Sequence, residues 1–555
     1  MESMKDADGT DAKDAKDAPE AAGGGSAVAP DAGGNHGKVS REPGRKGWGP
    51  LSRRRFLHGA GLVGAGALAG TGIARTGLLP GIASPASVAP APTATSTASA
   101  APSSSSGSTP ADRTFVSTHV TAPHIASWET TGTAAGLLFT GPMGHGSNGL
   151  IMKNNAEPVW MEPSGIGVTD LRVQTFEGQP VLTFWTGTGL GGHGEGMGLI
   201  KDASYRTIAQ VNTGNGLKAD LHEFTLTAAG TALMISYTTI QHDLSSVGGP
   251  AVGYMYNCHV QEINVRTGVV LLDWSALDHI ALTESYLRPG GNPKADGSSA
   301  AKAYDPYHLN SVDESGDAVL ISSRHTHTLY LVDRTAGTVR WRLGGKQGDF
   351  SMGQNAVFAW QHDARRRPNG VISVFDNHYN QGTTGTSRGL LLNVDEKART
   401  AQVKQEFSHA GHRGNAEGNV QFLENGHVLV GWGADPAATE FTADGKAVYE
   451  ATRIGNASYR TYRAPWMGKP DTLPDIAAIG GNGSTMQVYA SWNGATEVAH
   501  WRFLTGASQA SLAEAGTFPR QGFETSTAIA AAPHLAVQAL DKNGAVLGTS
   551  TVIAT

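Results

Sequence analysis

YHLNSVDESGDAVLISS (307–323) and QHDARRRPNGVISVFDN (361–377) are two copies of one pattern: an apolar-alternating stretch, a turn closing on Gly316 or Gly370, and a second apolar strand. Period-two alternation marks a half-buried β-strand, and two such runs around a Gly-bearing turn read as a hairpin. The unit occurs again in DLRVQTFEGQPVLTFW (170–185), LHEFTLTAAGTALMISY (221–237) and GNVQFLENGHVLVGWG (418–433). The turn glycines at 178, 230, 316, 370 and 426 are therefore spaced by 52, 86, 54 and 56 residues. Most copies are followed by a second hairpin with an Asp or Asn turn, as in LIKDASYRTIAQV (199–211), LYLVDRTAGTVRWRL (329–343) and EFTADGKAVYEAT (440–452). LIMKNNAEPVWM (150–161), after GLLFTG (136–141), makes a sixth.

Two hairpins per unit give four strands, and six units of about 50 residues are what a six-bladed β-propeller requires. The expected fold is thus all-β, with the propeller over residues 115–470. The surplus length of one interval falls in 275–306 and predicts an excursion over one face. Residues 471–555 change pattern. MQVYASWNGATEVAHWRFL (486–504) and HLAVQALDKNGAVLGTSTVI (534–553) alternate around Asn-Gly turns, as in a small C-terminal immunoglobulin- or fibronectin-like β-sandwich domain.

Composition agrees with strands and turns. Of 555 residues only 16% are charged, against about 25% in average usage, and 73 are Gly. A formal charge of −6 gives no electrostatic reason to bind nucleic acid. The single cysteine, Cys258, excludes intrachain disulfides, Cys-based zinc sites and CxxC redox chemistry, and is expected to be ordinary core packing.

The first hundred residues read as targeting sequence rather than fold. Residues 1–47 are Asp-, Lys-, Ala- and Gly-rich and predict a disordered polar extension. Residues 48–84 carry Ser52-Arg53-Arg54-Arg55-Phe56-Leu57 before a weakly apolar Gly/Ala/Leu run, the form of a twin-arginine export signal. That run is Gly-rich and broken by Arg75, so no stable membrane span is expected after cleavage. Residues 85–114 form a Ser/Thr/Ala/Pro linker. An exported chain, extracellular or wall-associated, is the expectation.

Alignment of the units on their turn glycines places His222, His308 and His362 eight residues before Gly230, Gly316 and Gly370. The same offset gives Asp170 in the first unit and Gly418 in the fifth. Equivalent positions in successive blades converge on one small volume, so the three imidazoles are expected to meet there. Arg324 and Arg388 lie on strands beside them, and a guanidinium's paired donors suit a tetrahedral oxyanion. His325, His327 and Asp305 are weaker candidates. The Gly-rich segments around His145 and His193 lack a strand–loop–helix context and do not predict nucleotide binding, and no GxSxG elbow occurs. The Arg365-Arg366-Arg367 run is expected to be a solvated turn.

DLHEF (220–224), DPYHLNS (305–311), ISSRHTHTLYLVD (321–333), VRWRLGGKQGDF (339–350), WQHDA (360–364), FDN (375–377) and VLVGWG (428–433) together resemble the bacterial and fungal arylsulfotransferase family. The resemblance implies a six-bladed propeller that moves a sulfuryl group from an aryl sulfate to a phenol without a nucleotide or other cofactor, through a transiently sulfated histidine. It implies His222 and His362 as supporting histidines, His308 as part of the HLNS motif, and Arg388 as the arginine on the sulfate oxygens. The family's nucleophile follows that arginine in the chain. Here the register position is Gly418, with His409 and His412 just upstream, so the nucleophile is to be sought among His409, His412, His308 and His362. Two other readings suit the same residues: a metal-dependent lyase or hydrolase with His222, His308 and His362 as ligands, and a non-catalytic ligand-binding propeller.

Overall fold

In the computed structural model, the described residues are 111–146, 148–291, 293–380, 383–384, 386–480 and 483–555. The expected polar extension, export signal and most of the linker lie outside them. The last linker residues are already part of the fold: Arg113 bridges to Ala122 in antiparallel register, and its guanidinium reaches Glu157 at 3.1 Å.

Every regular element among the described residues is a β-strand or a short 3₁₀ turn. No helix there is long and apolar enough to cross a membrane. Four sheets follow the repeat directly as antiparallel meanders. The second sheet of the chain holds Thr169–Phe176, Gln179–Gly189, Gly194–Lys201 and Thr207–Val211. The third holds Phe224–Leu226, Thr231–His242, Gly253–Asn264 and Val270–Ser275. Leu309–Ser315, Ala318–Ser323, Thr328–Asp333 and Val339–Gly344 make the fourth. His362–Arg367, Val371–Asp376, Arg388–Asp395 and Thr400–Phe407 make the fifth, with Ser351–Met352 added in parallel. The turn glycines that define the repeat, such as Gly316 at φ +64° and Gly370 at φ +71°, sit in the left-handed region that a side chain disfavours.

The remaining two sheets share the chain's ends. Asn419–Phe422, Val428–Gly431, Ala437–Phe441 and Ala447–Thr452 form the sixth, and Ala126–Glu129 pairs with its outermost strand. Conversely, Leu137–Pro142, Leu150–Met152 and Pro158–Met161 form the first sheet only with Ser458–Ala464, which pairs Leu138 with Arg463 and Thr140 with Thr461.

The apolar faces left by alternation pack between neighbouring sheets. Phe139 and Trp160 of the first meet Leu171 and Phe184 of the second. Ile200 and Phe224 join second to third, Ile235 and Leu309 third to fourth, and Leu343 and Ile372 fourth to fifth. Phe375 and Val430 join fifth to sixth, and Leu429 with Leu138 returns from sixth to first. Cys258 is buried in the third-to-fourth cluster, as expected.

The inner strands are tied by buried ions rather than by apolar contact. Glu223 Oε1 accepts from Arg172 Nη2 at 2.9 Å and Arg460 Nη1 at 3.3 Å, while Oε2 accepts from Arg365 Nη2 at 2.7 Å and the Val312 amide at 3.2 Å. Arg460 also meets Asp170 at 3.1 Å, and the Val420 amide donates to Asp363 at 3.0 Å. Five of the sheets enter this network through a strand, and the third enters through Glu223, one residue before Phe224–Leu226. Burial alone would raise the Glu223 carboxyl, yet Arg365, Arg460 and Arg172 hold it well below the ordinary range. This corrects the expectation of a solvated arginine run: Arg365 is buried against Glu223 and Asp363, and Arg366 pairs with Glu396.

Residues 475–555 form two further antiparallel sheets. One is ordered Asp475–Gly480, Thr485–Ser491, Glu524–Ala530; the other Ala513–Pro519, His500–Gly506, His534–Leu540, Val546–Thr549. They share a core of Val488, Trp501, Phe503 and Val537.

Candidate active site

The excursion after the third sheet ends at Asp305, and its carboxylate organises the site. His308 takes φ +51° immediately before the first strand of the fourth sheet, which turns its ring back on Asp305. Its Nδ1 lies 2.6 Å from Asp305 Oδ2, and its amide donates to Oδ1 at 3.0 Å. His222, before the first strand of the third sheet, repeats the arrangement with Asp220 Oδ1 at 2.5 Å from Nδ1. Asp220 is held in turn by the Gly194 amide at 2.7 Å. The two rings meet edge to face with centroids 4.9 Å apart. A carboxylate on Nδ1 fixes the proton there and leaves Nε2 with its lone pair outward. Among the described residues, no protein hydrogen bond is made to Nε2 of either ring.

Around this pair the walls are aromatic. His193 stacks on Tyr237 at 5.2 Å and contacts Tyr256 at 4.4 Å. Tyr237 also lies against both His222 and His308. His325 stands 4.6 Å from His308, its Nδ1 on the Asp305 carbonyl at 2.8 Å and its Nε2 2.9 Å from Arg324 Nη1. Arg324 lies over the Trp360 ring at 4.7 Å and donates from Nη2 to the Asn415 carbonyl at 3.3 Å. His327 stacks on Tyr286 of the excursion at 4.0 Å.

His362 completes the register triad but in a different state. Its Nδ1 is 2.7 Å from Asn377 Oδ1, and its Nε2 accepts the Glu417 amide at 3.2 Å. Both ring nitrogens are therefore engaged by protein. Glu417 itself takes φ +64° one residue before the Gly418 register position. Burial pushes its carboxyl up to about 7 against the opposing pull of His222 and Arg324.

Burial disfavours the charged form of four of the rings. Burial lowers His308 against the raising effect of Asp305, and lowers His325 well below the ordinary imidazole range. His362 falls well below it through burial and the charge of Arg324, and His327 falls to about 4 for the same reasons. Burial would raise Asp305, but His308 and His325 keep it well below the usual carboxylate range. A neutral imidazole with a free Nε2 beside a fixed guanidinium can act as a nucleophile on, or proton acceptor from, an anionic substrate.

The other sequence candidates lie elsewhere. Arg388 does not face the histidine pair: its guanidinium bonds Asp376 at 3.0 Å, Glu406 at 2.6 Å and the Asn355 carbonyl at 2.8 Å, pinning the fifth sheet. It is Arg324 whose charge bears on His308, His325, His327 and His362. His409 and His412 are turned to the sixth sheet, where His412 sits between Asp435 at 3.0 Å and Glu450 at 2.9 Å. Nor are His222, His308 and His362 gathered as one ligand set. At this site the group whose ligand atoms lie within 4.8 Å of one another is Asp305, His308 and His325. The guanidinium on His325 Nε2 opposes a dication there.

Sequence reading passed over Asp220, His193, Trp360 and Glu417. The Asp-x-His spacing in DLHEF and the Asp-x-x-His spacing in DPYHL were the available signals for carboxylate-held imidazoles.

No curated protein matches the sequence. Among solved structures, a protein of unknown function from Bacteroides caccae is 11% identical, covers 59% of this chain and 98% of its own, and has a TM-score of 0.36. One from Dyadobacter fermentans is 12% identical over 66% of this chain and 95% of its own, at TM-score 0.31. Virginiamycin B lyase from Staphylococcus aureus is 9% identical over 72% and 88%, at 0.26. Likenesses of that size carry no argument about function. The family model of the arylsulfotransferases (ASST) matches residues 172–454, half of the chain and the span holding every residue of the histidine site, so the protein belongs to the arylsulfotransferase family.

Proposed function

We propose that the protein is an exported aryl-sulfate sulfotransferase in which His308 is the nucleophile, Asp305 orients it and Arg324 receives the sulfate oxygens. The family supports sulfuryl transfer in general, and the reading of these residues rests on one observation. His308 is an imidazole whose charged form burial disfavours, held at Nδ1 by a carboxylate, with no protein hydrogen bond at Nε2 among the described residues and with Arg324 close by.

In this mechanism Nε2 of His308 attacks sulfur of the donor ester. The N–S bond forms as the S–O bond to the aryl oxygen breaks, and the aryl oxide departs and takes a proton from solvent. A phenol then attacks the same sulfur, the N–S bond breaks, and the phenolic proton passes to a base such as His222, whose Nδ1 is held by Asp220. Arg324, fixed on Trp360, stabilises the charge that builds on the sulfuryl oxygens. Asp305 balances the positive charge on the substituted ring.

We read the six sheets as the blades of a six-bladed propeller over residues 115–470, closed by Ser458–Ala464. That reading is supported by the six inter-sheet cores and by the return of the last to the first. Residues 471–555 are read as an immunoglobulin- or fibronectin-like sandwich on their sheets of three and five strands, the fifth being Ile553–Ala554 beside His534–Leu540. The Ser52–Leu57 segment supports twin-arginine export to the cell exterior. The test is release of p-nitrophenol from p-nitrophenyl sulfate with a phenol acceptor: release that depends on the acceptor and on His308 supports the proposal. Binding without turnover would favour a non-catalytic propeller, and turnover that requires an added metal would favour a metal-dependent lyase or hydrolase.

A further inference from the structure

We infer that His409, His412 and Glu450 bind a transition-metal dication of the zinc class, which clasps the 408–418 loop to the outer strands of the sixth sheet. This stands apart from the sulfuryl-transfer reading, because none of the three touches the histidine pair.

The donors are already gathered. Glu450 Oε1 lies 2.9 Å from His412 Nε2 and 3.5 Å from His409 Nδ1, and one ligand atom from each of the three lies within 4.8 Å of the others. Tetrahedral bonds of about 2.0–2.2 Å would space such ligands by roughly 3.3–3.6 Å, and Glu450 Oε1 stands 2.9 and 3.5 Å from the two imidazole nitrogens. His409 Nδ1 is buried and makes no hydrogen bond, so a polar atom is aimed into the site without a proper partner.

The surroundings fit a metal better than an isolated ion pair. Asp435 Oδ2 is 3.0 Å from His412 Nδ1, the carboxylate behind a ligating imidazole that fixes its tautomer and raises its basicity. The other oxygen of Glu450 is held by Trp128 Nε1 at 3.0 Å, while Oε1, which also accepts from Thr439 Oγ1 at 3.4 Å, faces the two imidazoles. His412 is further fixed by stacking on Trp432 at 5.2 Å. Two imidazoles and one carboxylate suit zinc rather than calcium or magnesium, which take oxygen sets. Coordination through His412 Nε2 releases any proton on that nitrogen to solvent, so zinc and protons compete for the site. Part of His409 reaches solvent, giving the ion a path in.

The clasp has a structural consequence. The same loop carries the Asn415 carbonyl on Arg324 and the Glu417 amide on His362, while the Gly414 carbonyl accepts from Asn377. A metal at its base would hold that wall in place.

The experiment is calorimetric titration of zinc chloride into the purified, chelator-treated full chain, with His409→Ala, Glu450→Gln, Asp435→Asn and His308→Ala alongside. The expected result is one equivalent bound by the parent chain and by His308→Ala, at least about tenfold weaker binding in Asp435→Asn, and loss in the first two variants. Should those variants fail to fold, the parent chain loaded with cobalt must show the visible ligand-field absorption of a nitrogen- and oxygen-bound ion. Absence of uptake and of that absorption, or uptake lost in His308→Ala and kept in His409→Ala, overturns the proposal.

Discussion

The His222 and His308 rings meet edge to face at 4.9 Å, each with Nδ1 on its own aspartate, so two oriented imidazoles share one pocket from different sheets. In the proposed mechanism one forms the bond to sulfur while the other moves the proton. Replacing His308 by Ala is expected to lower transfer by at least about 10³-fold with thermal unfolding nearly unchanged. Asp305→Asn should lower kcat with little effect on KM, because it disturbs orientation rather than binding. Steady-state rates of both variants check this.

Arg324 and Arg388 separate by role. Arg324→Ala should raise KM for the donor and lower kcat, with a combined loss in kcat/KM of about 10²–10³. Arg388→Ala breaks contacts with Asp376, Glu406 and the Asn355 carbonyl, so its effect should be on stability, about 1–3 kcal/mol, with activity per folded molecule retained. The opposite pattern in paired activity and melting measurements would return Arg388 to the substrate.

Glu417 supplies a pH signature. Its folded carboxyl titrates at about 7, above its ordinary 4.5, so between those values the folded protein binds more protons than the unfolded chain. That favours folding in acid and is lost as pH rises toward 7. Glu417→Gln removes the loss, and the stability of the variant relative to the parent should grow from pH 4.5 to 7 and level off above it, by on the order of 1–3 kcal/mol. Denaturant melts at three pH values suffice.

Glu223 tests the ionic hub. Glu223→Gln leaves Arg172, Arg365 and Arg460 without their shared carboxylate in a buried site. A loss of about 3–5 kcal/mol is expected in urea unfolding.

Much of the fold was legible because each repeat carries its own evidence. Alternation and a turn glycine are local, so the hairpins around Gly316 and Gly370 follow from a dozen residues each. Sheet completion is not local. Ser458–Ala464 reads as one more alternating strand, and nothing in it points to Leu137–Pro142 some three hundred residues earlier. The site divides the same way. Register brought His222 and His308 together, because strand starts in successive sheets are equivalent. It does not show the partners of Arg388, since chain proximity to Asp376 does not reveal that Asp376 itself takes the guanidinium. Arg365 read as solvated because its partner, Glu223, lies 142 residues away. Glu417 was stepped over because the register pointed one residue further, at Gly418.

The most direct test of the account is mass spectrometry of the protein incubated with p-nitrophenyl sulfate and no acceptor, digested under mildly alkaline conditions that preserve an N-sulfated imidazole. The account predicts a sulfuryl adduct on the peptide containing His308, discharged when a phenol is added and absent in His308→Ala. An adduct on another histidine, or transfer activity with no adduct on any, would contradict it.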